Sequence, residues 1–113
     1  MNPKFETLNE YQKLCIRTTI SQMDEKMTHL AWSLALAGEA GELANRTKKV
    51  FIHGHPYDQD KVVEELGDIL WYVAVYAHDI GVDLQELAVR NIDKLEKRYP
   101  DGFSSEASIR RDD

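Results

Sequence analysis

The sequence predicts an all-α domain of four or five helices. No convincing stretch alternates polar and apolar residues with a period of two, and Pro and Gly are scarce inside the long segments. A chain of 113 residues is long enough for one domain with a modest core. We assign residues 1–103 to that domain and expect residues 104–113 to form a polar, flexible tail.

The composition disfavours several classes of function. The chain has 14 basic and 20 acidic residues and a net charge of −6, which predicts no nucleic-acid partner and no anionic membrane partner. The N-terminus carries no charged and then apolar leader, and the longest apolar run, 69–77, is too short to span a bilayer. Cys15 stands alone, so no internal disulfide can form, and a cytoplasmic location is predicted.

The first helix is predicted from about Thr7 to about Ile20. Thr7 and Glu10 match a capping box. Residues at helical spacing follow: Leu8, Tyr11, Leu14, Cys15 and Thr18. We interpret Cys15 as a small core residue, because a lone thiol without a neighbouring His is a poor nucleophile. A polar connection is expected over residues 21–27.

The second helix is predicted from about Thr28 to about Ile52. Its expected core stripe consists of Leu36, Ala40, Leu43 and Val50. Gly38 and Gly41 each cost about 1 kcal/mol relative to Ala in a helix, which suggests close approach by another backbone or a ligand. The segment 53–57 follows as a loop. Its His-x-His pair is interpreted as a polar turn, since no third metal ligand is evident nearby.

Two further helices are predicted, over about residues 58–80 and 83–99. The third helix has an expected apolar face of Val62, Leu66, Ile69, Val73, Ala77 and Ile80. It is apolar nearly all round after Asp68, so we expect another subunit to cover it. The fourth helix begins with a capping residue, Asp83. One face of this helix carries polar side chains at helical spacing: Asn91, Lys94 and Arg98.

Two carboxylate pairs interrupt the apolar helices, Glu39-x-x-Glu42 and Glu65-x-x-Asp68. The i, i+3 spacing places both members of a pair on one helix face. One such pair alone is usually solvated, but acidic residues rarely enter an apolar face unless they are paired or hold a cation. Oxygen ligands without His favour Mg²⁺ or Mn²⁺ over a di-iron centre. The two pairs therefore predict a magnesium site between the second and third helices.

A magnesium site of this kind indicates phosphate chemistry, because protein-bound Mg²⁺ usually shares its ligands with substrate phosphates. The candidates for holding phosphate oxygens are Lys61, Asn91, Lys94 and Arg98. In isolation, Lys94 and Arg98 would be interpreted as surface charge or as partners of the helix dipole. The combination suits hydrolysis of a phosphoanhydride, with Glu64 or Glu65 taking the proton from the attacking water.

Three segments together resemble the MazG-like nucleoside triphosphate pyrophosphohydrolases. They are Gly38–Glu42, Glu64–Asp68 with Trp71-Tyr72, and Asn91–Phe103. The resemblance runs from about Leu34 to Phe103 and is specific in order and spacing. It implies an all-α homodimer or homotetramer whose helices complete an oligomeric bundle. It also implies Mg²⁺-dependent conversion of nucleoside triphosphates to monophosphates and pyrophosphate, with Mn²⁺ able to substitute.

The resemblance also implies residue roles. Metal ligands are expected at Glu39, Glu42, Glu65 and Asp68, with Glu64 as a further ligand or base. Phosphate-binding residues are expected at Lys61, Asn91, Lys94 and Arg98. Removal of noncanonical or surplus nucleotides is the implied role, and the preferred base stays open. Two alternatives also stay open: a phosphoribosyl-ATP pyrophosphohydrolase of the same superfamily, and a non-catalytic helical module that binds a nucleotide or a protein.

Overall fold

The computed structural model describes residues 4–19 and 22–110, and these residues confirm the predicted all-α fold. The helices are α1 (Leu8–Ile16), α2 (Glu25–Phe51), α3 (Gln59–Asp79), α4 (Leu84–Arg98) and α5 (Ser105–Arg110). The two longest helices, α2 and α3, pack side by side as an antiparallel pair, with α1 against α3 and α4. Their direction follows from two contacts: Trp32 meets Asp79 at one end and Arg46 meets Glu65 at the other.

Side chains placed just before the helices satisfy first-turn N–H groups, as the sequence predicts for Thr7 and Asp83. The N–H of Glu10 donates to Thr7 Oγ1 at 3.1 Å, and the N–H of Glu86 donates to Asp83 Oδ1 at 2.7 Å. The capping box at α1 differs in one arm, because the Glu10 carboxylate accepts from the N–H of Glu6 at 3.0 Å.

The structure changes the expected bounds of the first two helices. Helix α1 ends at Ile16, earlier than the predicted end near Ile20, which lies outside the described residues. Helix α2 begins at Glu25, because Asp24 Oδ1 accepts from the N–H of Met27 at 2.8 Å and caps it. The polar connection expected over residues 21–27 is therefore shorter than predicted.

Part of the flexible tail expected over residues 104–113 is helical, and residues 111–113 lie outside the described residues. Residues 105–110 form α5, and the N–H of Ala107 donates to Ser104 Oγ at 3.0 Å. Ala107 is buried, which ties this helix to the rest of the chain. The sequence did not predict this helix, because six residues are too few to show a helical period.

The buried core is small and lies where α1, α3 and the start of α4 meet. It consists of Cys15, Ala74, Val75 and Leu84, with Tyr11, Ile16, Trp32, Trp71 and Val73 packed against it. Cys15 is buried as predicted, and burial raises the pKa of its thiol. Three residues expected on the apolar faces of the second and third helices are exposed instead: Ala40, Leu66 and Ile80. The seam between α2 and α3 passes through Glu39 and Glu65, which turns Ala40 and Leu66 outward.

One buried amide, Gln12, joins three helices. Its Nε2 donates to the carbonyl oxygens of Ala74 at 2.9 Å and Val82 at 3.1 Å, and its Oε1 accepts from the N–H of Leu84 at 3.1 Å. Gln12 thereby fixes α1 against the end of α3 and the first turn of α4.

We expect Gln12→Ala to lower the free energy of unfolding by about 2–4 kcal/mol, because it leaves buried backbone groups without partners. Urea titration followed by circular dichroism measures this change. Asn9→Ala is the matched control. Asn9 also joins α1 to α4, because its Oδ1 accepts from the N–H of Gln85, but this hydrogen bond is exposed. A loss at Gln12 no larger than the loss at Asn9 would contradict the role given to the buried amide.

Much of the apolar surface of the chain is not covered within the protomer. Leu34, Leu66 and Ile92 are more than half exposed. Nothing in the described structure lies within 4 Å of a Cβ built on Gly38 or Gly41, so the close approach expected at these glycines does not occur within one chain. None of the described helices is both long enough and apolar enough to cross a bilayer.

Candidate metal and phosphate site

The structure brings together three carboxylates from the two pairs identified in the sequence. Glu39 and Glu42 lie one turn apart on α2, and Glu65 faces them from α3. One carboxylate oxygen from each of the three lies within 4.8 Å of the others. Three carboxylates at this separation repel one another unless a proton or a cation is shared among them.

Two oxygen atoms of this acidic cluster fit a cation site. Glu39 Oε2 and Glu65 Oε2 are buried, and within the described residues neither has a hydrogen-bond partner. The Glu65 side chain is 13% exposed. Buried polar atoms normally find partners, and anionic oxygen atoms on opposite helices suit a hard divalent ion. The donor set of the cluster therefore fits Mg²⁺ or Mn²⁺.

The environment of Glu39 also favours neutralisation. The pKa of Glu39 is raised, first by its partial removal from water and then by the charges of Glu42, Asp68 and Glu65. Each of these causes disfavours another negative charge at this position. A bound divalent cation would reverse the effect, because it stabilises the ionised carboxylates around it.

Asp68 and Glu64 lie outside the group of three carboxylates. Both are exposed, and neither belongs to the group of oxygen atoms within 4.8 Å. Asp68 is nevertheless close enough for its charge to raise the pKa of Glu39. Lys61 is exposed one turn before Glu65. The structure thus places the second carboxylate pair unequally, with Glu65 inside the cluster and Asp68 at its edge.

Among the described residues, no hydrogen bond or ion pair joins Asn91 or Lys94, two of the phosphate-binding residues predicted on α4, to the acidic cluster. Asn91 and Lys94 are exposed, and Arg98 is partly buried. Helix α4 packs against α1 and α3 near its own start, whereas the residues of the acidic cluster come from α2 and α3.

One residue missed in the sequence lies at the centre of the site. Arg46 Nη2 donates to Glu65 Oε1 at 3.2 Å and so links α2 to α3. A groove of about 240 Å³ opens beside this pair, lined by Glu42, Asn45, Arg46, Lys49 and Glu65. The sequence spacing could have indicated that Arg46 belongs to the site, because it follows Glu42 by four residues and Glu39 by seven on one helix face.

Comparison with known proteins identifies the family of the chain. Residues 13–103 match the MazG nucleotide pyrophosphohydrolase domain. The chain belongs to the MazG family. A relative in Mycobacterium phage L5, described as Gene 37 protein, is 38% identical over 74 residues, which cover 62% of this chain and 65% of that relative. The match therefore spans just under two thirds of the phage protein. No solved structure matches the chain.

This MazG chain carries an aromatic cluster on the same pair of helices. The ring centroids of Trp32 and Tyr72 lie 5.9 Å apart, and those of Trp71 and Tyr72 lie 5.1 Å apart. Trp71 Nε1 donates to Thr18 Oγ1 at 2.9 Å, and Trp32 Nε1 donates to Asp79 Oδ2 at 2.8 Å. All three rings are partly buried, so they pack the helix pair about two turns from Glu39 and Glu65.

We expect Mg²⁺ at tenfold excess over its dissociation constant to raise the melting temperature of this MazG chain by about 5 °C. The physical reason is that the ion binds the folded acidic cluster and not the unfolded chain. Thermal unfolding at fixed protein concentration, with Mg²⁺ and with chelator, measures the shift. An equal shift in Glu65→Gln would show that the ion stabilises the protein elsewhere.

Proposed function

We propose that the chain is a Mg²⁺-dependent nucleotide pyrophosphohydrolase that converts (deoxy)nucleoside triphosphates to monophosphates and pyrophosphate. Family membership supports a pyrophosphohydrolase-type activity. The observation that carries the proposal for this chain is the pair of buried, unpartnered carboxylate oxygens of Glu39 and Glu65 on facing helices. Such a pair is costly in a protein unless a cation is bound.

In this proposal Glu39, Glu42 and Glu65 hold the metal, and Asp68 completes the set from the edge of the cluster. When bound, Mg²⁺ supplies neutralisation of phosphate charge and lowers the pKa of a coordinated water. Glu64 is exposed beside Glu65, so it can accept the proton of the attacking water without being lost as a ligand. The α2–α3 seam orients these groups, because both helices are rigid and antiparallel there.

We also propose that two or more copies of the chain assemble. A compact 13.0 kDa monomer exposes about 6,300 Å², whereas this chain exposes 8852 Å². Its radius of gyration is 17.2 Å, against about 13 Å for a compact domain of this length. The excess of about 2,500 Å² exceeds the roughly 800 Å² that one partner buries in a standard interface.

The exposed residues support a second copy as the partner of these surfaces. Leu34 is 68% exposed on α2, Leu66 is 52% exposed on α3 and Ile92 is 54% exposed on α4. Gly38 and Gly41 leave open space on α2 that another helix can approach closely. An assembly of this kind would bring Asn91, Lys94 and Arg98 toward the acidic cluster of a neighbouring copy, near the subunit boundary.

The experiment that tests the proposed function is pyrophosphate release from a panel of canonical and modified nucleoside triphosphates, with Mg²⁺ and with chelator. Metal-dependent release with an equal amount of monophosphate supports the proposal, and the ranking of substrates defines the base preference and tests the removal of noncanonical or surplus nucleotides. Release of orthophosphate would contradict it. Activity on phosphoribosyl-ATP alone would favour the phosphoribosyl-ATP pyrophosphohydrolase alternative, and nucleotide binding without turnover would favour a non-catalytic module.

A further inference from the structure

We infer that the groove beside the acidic cluster binds the pyrophosphate half of the nucleotide through Arg46 and Lys49. This inference rests on the proposed function, which supplies a triphosphate as the substrate. The two cations would hold the phosphates that leave as pyrophosphate, while the acidic cluster holds the metal next to them. The groove would then decide where along the triphosphate the attacking water is placed.

The groove has the size and the composition for this ligand. Its volume is about 240 Å³, many times the roughly 10–15 Å³ that one water molecule needs in the same measure, so there is room for a pyrophosphate group. Its lining combines carboxylates, which suit a metal ion, with cations and an amide, which suit phosphate oxygens: Glu42, Glu65, Asn45, Arg46 and Lys49. A metal-bound triphosphate has the matching pattern, with the metal at one part and free anionic oxygens at another.

Arg46 lines this groove, and its bond to Glu65 uses only part of its guanidinium. One Nη atom donates to Glu65 Oε1, but Nε is buried and has no acceptor among the described residues. The side chain is 39% exposed, so a ligand can reach the rest of the guanidinium. A guanidinium presents its donors as a planar fork that suits phosphate oxygens, and a buried donor without a partner costs free energy.

Lys49 supplies a second cation on the same face of α2, one turn after Arg46. It is exposed, and within residues 4–19 and 22–110 no ion pair is described for it. Lys49 also lies in the last turn of α2, where any cation interacts favourably with the helix dipole. Lys48 lies in the same turn but does not line the groove. Substitution of Lys48 therefore separates the effect on the helix dipole from an effect on the groove.

The overall charge of the chain makes local cations necessary. A net charge of −6 and an acidic cluster repel a polyphosphate, and one divalent ion offsets only part of its charge. Arg46 and Lys49 line the same groove as Glu42 and Glu65, whereas Asn91 and Lys94 do not line it. The structure therefore favours α2 as the source of the first phosphate contacts.

The test is direct binding of inorganic pyrophosphate with Mg²⁺ to the full chain, measured by calorimetry. We expect Lys49→Met and Arg46→Lys each to raise the dissociation constant by about tenfold, since the first removes a charge and the second removes the fork. Lys48→Met is the matched control and is expected to stay within twofold of wild type. Binding of nucleoside monophosphate is expected to stay unchanged in all three variants.

Several results would overturn the inference. They are no binding of pyrophosphate by the wild-type chain, wild-type affinity in a folded Lys49→Met variant, or an equal loss in Lys48→Met. A lower melting temperature for Arg46→Lys with unchanged pyrophosphate affinity would reduce Arg46 to a link between helices. If the wild type hydrolyses triphosphates but the variants bind pyrophosphate normally, the role of the groove is wrong and the proposed function stands. If the variants lose pyrophosphate binding but the wild type hydrolyses no triphosphate, the groove stands and the proposed function is wrong.

Discussion

Replacing Glu39 with Gln is expected to lower kcat/KM for pyrophosphate release by about 1,000-fold while the protein stays folded. Glu39 contributes one of the buried, unpartnered oxygens in the acidic cluster. An amide oxygen is a weaker ligand for Mg²⁺ than a carboxylate, and the amide N–H₂ group cannot bind the ion at all. Asp68→Asn is expected to lower turnover strongly as well, although Asp68 lies at the edge of the cluster. Steady-state release of pyrophosphate measures both losses.

The same substitution has a second expected effect that separates a lost ligand from a damaged fold. The negative charges of Glu42, Asp68 and Glu65 raise the pKa of Glu39, so these groups repel its ionised form. A neutral Gln removes this repulsion, and the metal-free variant is expected to melt no lower than wild type near neutral pH. The stabilisation by Mg²⁺ is expected to disappear in the variant. Thermal unfolding with and without chelator measures both quantities.

Glu96→Gln is the matched control, because it makes the same carboxylate-to-amide change at an exposed position on α4. Its activity is expected to stay within twofold of wild type. Full activity in a folded Glu39→Gln protein would remove Glu39 from the metal site. Partial recovery of the variant at raised Mg²⁺ concentration would instead strengthen the assignment, since a weakened site is filled at higher metal concentration.

The local features of the fold could be predicted from the sequence. The capping roles of Thr7 and Asp83 depend on residues three positions away, and the structure shows both. The first carboxylate pair could be found for the same reason, because the spacing of Glu39 and Glu42 fixes one helix face. Interactions over longer separations could not be predicted in this way. Gln12 bonds to groups on α3 and α4 that are distant in sequence.

The apolar pattern could not distinguish the protomer core from surfaces that stay exposed. Ala40 and Leu66 fit the expected core stripes as well as Leu36 does, yet they face away from the α2–α3 seam. Apolar residues at an interface between subunits recur with the same helical period as residues of a buried core. The pattern therefore established that α3 has more apolar faces than one protomer covers, but it did not identify which face lies inside.

Placing a charge on the exposed apolar face of α4 is expected to dissociate the proposed assembly. Ile92 is 54% exposed in the protomer and lies with other half-exposed apolar residues on α4, namely Leu87 and Leu95. If a second copy covers this face, Ile92→Glu buries an unpaired carboxylate and loses apolar contact. We expect a rise of about 100-fold in the dissociation constant of the assembly, or about 3 kcal/mol. Sedimentation over a range of protein concentrations measures it.

Gln85→Glu is the matched control for this experiment, because it adds the same charge to an exposed position of α4. It is expected to leave the assembly unchanged. A wild-type chain that sediments as a monomer at all concentrations would contradict the assembly, and an unchanged Ile92→Glu oligomer would place the interface on α2 or α3. If activity falls together with the assembly, and returns when the variant is concentrated, the site needs groups from a neighbouring copy. The candidates for these groups are the side chains on the polar face of α4, because Asn91 and Lys94 are exposed in the protomer and are not part of the acidic cluster. This face carries Asn91, Lys94 and Arg98.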